Sequence, residues 1–217
     1  MSEFAHARPA QKVNAAVFCA GAIALLAWVA FADHLRLNIE RENGAVLAGL
    51  WRQLRFFTET TNIYVAALFS VMALRWPAGA SRQVLGGLVL SVTLVALVYW
   101  SILYNPMQPR TPWNAAFNYL IHGGIPLAVV AYYFAYAART PLSWSACLRW
   151  AIYPLCYLVY AIARGLLDGR FAYFFLDPGR IGVANVVMSV SAIAAGYIAS
   201  GAALIAWERR RRGREHS

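Results

Sequence analysis

Acidic residues are scarce in this chain, nine Asp and Glu in 217 residues, and charge as a whole is thin: 13% of residues are charged and 61% are hydrophobic. A soluble domain ordinarily carries roughly 25% charged and under half apolar residues. The deficit excludes an ordinary soluble domain and points to a membrane protein. Cysteine is sparse too: Cys19, Cys147 and Cys156 are odd in number and lack metal-ligand spacing, which argues against a disulfide framework and a zinc site. Of four histidines only His122 lies within an apolar run, so a bis-histidine intramembrane haem lacks its second ligand. Walker, HExxH and GxSxG motifs are missing. No metal and no cofactor is expected.

What the chain does have is a succession of long apolar runs with no polar linker long enough to separate folding units. They predict one all-α transmembrane domain over residues 1–217, with six spans at about 13–32, 56–76, 83–104, 113–138, 146–165 and 183–207 and a basic tail at 208–217. Ala30-Phe31-Ala32 imitates a signal-peptide cleavage site, yet the preceding run exceeds the roughly 7 to 15 residues of such a segment and is read as a span. Residues 33–43 read as a charged loop, and the amphipathic stretch 44–57, with Trp51, Arg52 and Arg55 suited to a headgroup interface, leads straight into the second span. Residues 105–112 and 166–182 read as the other long loops.

The net charge of +10 sits mostly at the ends of these runs. That is the placement of topology signals, not of a nucleic-acid surface. Six spans put both termini on one side. Eleven basic residues fall on that side (Arg8, Lys12, Arg75, Arg82, Arg139, Arg149 and five in the tail) against eight on the other, so the termini are expected in the cytoplasm, most simply of a bacterial inner membrane. Eighteen of the nineteen basic residues are arginine, which fits a GC-rich coding genome.

His122 stands about nine residues, roughly 13 Å, inside its span. An ionisable group at that depth is costly and marks a functional-site candidate. Asn114, Asn118 and His122 follow i, i+4, i+8 spacing and form one polar stripe. Gly123 and Gly124 suit the close approach of a neighbour, and Pro126 removes the amide that would bond the His122 carbonyl, so a kink or a bound water is expected there. On the second span Arg55, Thr58 and Asn62 share a face, and Arg55 with Glu59 makes an i, i+4 charge pair. On the fifth, Tyr153, Tyr157, Tyr160 and Arg164 form a hydroxyl-bearing stripe that ends in a charge, and Asn185 and Ser189 add a shorter face on the sixth. Together they imply a polar cavity open to the non-cytoplasmic side, with Thr58 and His122 in the same membrane half. A threonine hydroxyl needs a base to become a nucleophile, and His122 is the intramembrane side chain suited to that task near neutrality. The plain alternatives are a threonine bonded to its own helix, a histidine that ties helices together, and tyrosines that are core and interface aromatics.

RFFT at Arg55 to Thr58, NYLIHGGIPL at Asn118 to Leu127, YPLCYLVYAIARG at Tyr153 to Gly165 and FFLDP at Phe174 to Pro178 resemble, in order and spacing, the androgen-induced-protein-like membrane family. Its eukaryotic members include threonine hydrolases of fatty acid esters of hydroxy fatty acids, and its prokaryotic members are known as multi-pass membrane proteins. The resemblance implies a lipid-ester hydrolase in which Thr58 is the nucleophile and His122 the base. Thr60 and Thr61 stand beside the first, and Gly123-Gly124 replaces the hydroxyl residues usual after the second. Asn118 is expected to orient the imidazole, and Arg55 or a tyrosine of the stripe to stabilise charge or hold a carboxylate. Membrane lipids and a lipid-like substrate are the expected partners. The other function class open to the same residues is a non-enzymatic membrane protein that binds or transports a small lipid or polar solute.

Overall fold

The computed structural model describes residues 9–74, 81–107, 111–137 and 142–215. Among them every regular element is helical. Five helices are long and apolar enough to cross a membrane: Val13–Arg41, Arg82–Leu103, Pro112–Tyr136, Ala146–Asp168 and Val183–Arg211. The expected second span appears as a helix over Phe57–Ala73, 17 residues, or about 25 Å at helical rise against a hydrocarbon core of about 30 Å. Arg75 and Trp76, where that span was expected to close, lie outside the described residues, as do Arg8, Arg110 and Arg139 of the topology count. The described chain clusters into two compact units, Met1–His34 with Thr61–Arg139 and Leu35–Thr60 with Thr140–Ser217. The boundary falls within α1 (Pro9–Arg41) and within α3 (Phe57–Ala73).

In the first unit, Ala20, Ala24 and Ala27 of α1 are buried at i, i+4, i+7 spacing, small residues that allow a neighbouring backbone to come close. Trp28 donates from its indole to Ser70 Oγ of α3 at 3.1 Å. Helix α4 (Arg82–Val98) starts where the Ser81 hydroxyl accepts from the Val84 amide at 3.2 Å and continues into a π-turn over Tyr99–Leu103. Helix α5 (Pro112–Tyr119) has Thr111 as its N-cap and Pro112 in its first turn, where the missing proline donor costs nothing. It runs through a second π-turn, Leu120–Gly124, into α6 (Ile125–Tyr136). Helices α4 and α6 pack together, and Leu85, Leu88, Ile125, Val129 and Tyr133 are almost fully buried.

In the second unit, α1 continues through the charged segment that the sequence reading ends at Ala32. It reaches Arg41 with an i, i+4 pair of Arg36 and Glu40 at 2.5 Å on its exposed side. Charge ends an apolar run without ending a helix. Asn43 and Gly44 then take positive φ, 53° and 86°, which turns the chain into α2 (Val46–Gln53). Gly49 of α2 lies against the α1 backbone, since a Cβ there would stand 2.8 Å from Ile39 N. Helix α2 does not lead straight into α3, as the sequence suggests. Leu54, Arg55 and Phe56 break the helical path between them.

Helix α7 (Ala146–Asp168) ends at Gly169, whose φ of 68° gives it a left-handed cap. A short 3₁₀ turn at Phe174–Leu176 and the single turn α8 (Pro178–Ile181), capped by Asp177, lead to α9 (Val183–Glu215). Both α7 and α9 overrun the expected ends at Gly165 and Trp207. Pro154 inside α7 removes the amide that would bond the Trp150 carbonyl, and the Tyr197 hydroxyl of α9 donates to that carbonyl at 3.0 Å instead. These helices expose Leu148, Ile152, Val159, Val187, Met188 and Ile198, large apolar side chains suited to hydrocarbon.

Candidate functional site

The residues proposed from sequence divide between the units, with Asn62, Asn118 and His122 in the first and Arg55, Thr58, Tyr153, Tyr157, Tyr160 and Arg164 in the second.

His122 is 8% exposed and sits in the π-turn of Leu120–Gly124. Its Nδ1 is 2.9 Å from the Asn118 carbonyl oxygen. A carbonyl only accepts, so Nδ1 carries hydrogen and the lone pair of the neutral ring is on Nε2. The contact between Asn118 and the imidazole is made by the Asn118 backbone. Its side-chain amide donates instead to the Tyr99 hydroxyl, and the Tyr99 ring stacks on the imidazole at 3.6 Å and 14°. The His122 carbonyl, which Pro126 leaves without a helical donor, accepts from the Trp100 indole at 3.0 Å, and the helix departs from α geometry at this place in the π-turn. Gly123 does not need to be glycine for this approach, because a Cβ would meet Trp100 at an ordinary 3.9 Å. Asn62 is buried.

In the second unit the break between α2 and α3 leaves carbonyls without helical donors, and such groups need partners when buried. The stripe on α7 supplies them. Tyr157 donates to the Arg55 carbonyl at 2.7 Å and Tyr160 to that of Leu54 at 3.1 Å. Arg164 donates to the Trp51 carbonyl, donates to the Tyr160 hydroxyl at 2.7 Å, and lies over the Trp51 ring at 3.8 Å. The Arg55 guanidinium does not sit in i, i+4 register with Glu59, because the helix is interrupted between them. It makes a two-pronged pair with Asp168 at 3.0 and 2.7 Å and donates to the Arg170 carbonyl. Glu59, buried, accepts from Gln53 at 2.9 Å.

The three neighbouring threonines differ. Thr60 donates its hydroxyl to the Phe57 carbonyl at 3.1 Å and accepts from Tyr153 at 3.1 Å. Thr61 is 1% exposed, and Thr58 is 8% exposed. Thr58 has a neighbour that sequence reasoning missed. Tyr173, on the loop before the 3₁₀ turn, accepts from the Phe57 amide at 3.0 Å and has Thr58 among its polar neighbours. Burial pushes this phenol up from 10.0 to about 12, while the Phe57 amide and Thr58 pull the other way. The only sequence signal for Tyr173 is its aromatic setting in YFFLDPG, which does not say where the loop lands. Asn185 donates to the Ile181 carbonyl at 2.7 Å and is exposed on α9, so its amide serves the local turn. Among the described residues no cluster of His, Cys, Asp and Glu could hold a metal ion.

No family model, curated protein or solved structure matches this chain.

Proposed function

We propose that the chain is a six-span integral membrane protein, with both termini in the cytoplasm of a bacterium, and that it hydrolyses lipid esters. Thr58 Oγ1 attacks the acyl carbonyl and its proton passes to His122 Nε2. Collapse of the tetrahedral intermediate expels the alcohol, which takes the proton from the imidazolium, and water then releases the acyl group from Thr58 with His122 again as base. The observation that carries this reading is the fixed tautomer of a buried histidine: with Nδ1 on the Asn118 carbonyl, the basic nitrogen is Nε2. Support for Thr58 over Thr60 comes from the Thr60 hydroxyl, whose hydrogen is given to the Phe57 carbonyl. The resemblance of the RFFT and NYLIHGGIPL segments to family hydrolases agrees with both assignments.

A fluorophosphonate hydrolase probe tests it on the purified protein in lipid nanodiscs. Wild type should label at Thr58, and Thr58→Ala and His122→Ala should lose labelling and esterase turnover at least 100-fold. Absence of both in wild type, or labelling in the two variants unchanged from wild type, removes the hydrolase assignment. Retained lipid binding in such an inert protein would favour a carrier or binding role.

A further inference from the structure

Two π-turns in the first unit carry Tyr99 and His122, the first at the end of α4 and the second between α5 and α6. In each, the ladder skips to i+5: the Tyr104 amide bonds the Tyr99 carbonyl at 2.7 Å, and the Ile125 amide bonds that of Leu120. A π-turn inserts one residue into a helix and re-aims the side chains around it, and such turns concentrate at functional sites. Here the re-aimed groups are a phenol and an imidazole, nearly parallel and 3.6 Å apart.

The contacts around this pair form a closed circuit. Asn118 receives the imidazole on its backbone carbonyl and holds the phenol with its side chain. Trp100, next to Tyr99 in sequence, bonds the His122 carbonyl. Ring plane, ring rotation and backbone are each fixed by a different partner. A histidine that merely tied helices together would need one hydrogen bond, not a stacked partner with a tether of its own.

We propose that Tyr99 is a positioning residue for His122. Stacked on the imidazole and tethered by the Asn118 amide, it holds the ring plane so that Nδ1 stays protonated on the Asn118 carbonyl and Nε2 is presented as the proton-accepting nitrogen. The tautomer is a property of the first unit alone. Its use in presenting a base rests on the hydrolase reading.

The two can be tested apart. The full chain, labelled with ¹⁵N-histidine in nanodiscs, is followed by nitrogen NMR at a pH where the ring is neutral, with His122 assigned by its loss in His122→Gln. Free histidine favours the proton on Nε2; wild-type His122 should show the opposite, with Nδ1–H dominant. Tyr99→Leu, which removes both the stack and the tether, should bring the Nε2–H form to at least a comparable population, and Asn118→Leu and Tyr99→Phe, which keep the stacked ring and lose only the tether, should each shift the ratio the same way by a smaller, matching amount. A wild type dominated by Nε2–H overturns the proposal. So does an unchanged ratio in Tyr99→Leu or, should that variant not fold, in Asn118→Leu. Probe labelling at Thr58 is read on the same samples: an unlabelled wild type with the Nδ1–H pattern removes the hydrolase reading alone, and a labelled wild type with an unmoved ratio in the variants removes the role of Tyr99 alone.

Discussion

The Trp100 indole donates to the His122 carbonyl at 3.0 Å, the carbonyl from which Pro126 has removed the helical donor. Tyr197 stands in the same relation to Trp150, whose donor is lost to Pro154. An aromatic side chain on a neighbouring helix thus replaces a backbone amide twice, in a setting where water is not at hand to do so.

Trp100→Phe should lower stability by about 1–3 kcal/mol, the cost of a buried polar group left unpaired. Pro126→Ala restores an amide that can reach the same carbonyl. In that background the cost of Trp100→Phe should fall, and thermal unfolding of the two single variants and the double variant in detergent reads the coupling. Equal costs in both backgrounds would mean that the indole bond does not compensate the proline.

Tyr173 predicts a pH dependence of defined sign. Its phenol titrates at 10.0 in the ordinary state and at about 12 in the folded one. The unfolded chain therefore loses this proton first, and the stability that the group contributes is fully present below pH 10.0 and declines as pH rises toward about 12. Wild type should lose stability more steeply than Tyr173→Phe across that window. Parallel curves would show that the hydroxyl is not buried against the start of α3.

Glycines separate into those that packing requires and those it does not. A Cβ on Gly49 would fall 2.8 Å from Ile39 N and 2.9 Å from its Cα, and backbone cannot step aside as a side chain can. Gly49→Ala should cost about 1–3 kcal/mol, the usual range for overpacking. Gly196 has nothing within 4 Å of a built Cβ. Gly196→Ala should be neutral or should gain up to about 1 kcal/mol from helix propensity. Unfolding midpoints of the two variants, compared with wild type, check both.

Hydropathy marked the apolar runs well and the helix ends poorly. It reports where residues prefer hydrocarbon, whereas α1 goes on past Ala32 to Arg41, with the Arg36–Glu40 pair bridging a turn on the exposed side of that extension. The expected Arg55–Glu59 pair fails for a related reason. The i, i+4 rule holds inside one helix, and the interruption at Leu54–Phe56 carries no proline or glycine to announce it. Pro126 did announce the freed carbonyl at His122, but the indole that reaches it is set by tertiary packing. The stripe of Tyr153, Tyr157, Tyr160 and Arg164 was visible from its spacing. Its partners were not, because three of its groups serve backbone carbonyls, which have no sequence signature.

That stripe also fixes an order of assembly. Trp51, Leu54 and Arg55 precede their donors Arg164, Tyr160 and Tyr157 by 113, 106 and 102 residues. At ribosomal rates of about 5–20 residues per second, the carbonyls of the α2–α3 break wait roughly 5–20 s after synthesis for the helix that will satisfy them. During nascent-chain insertion the break is held by whatever donors the translocation machinery or interfacial water provides. It acquires its native bonds only when α7 arrives, so the start of α3, Thr58 included, matures late in biogenesis although it is made early.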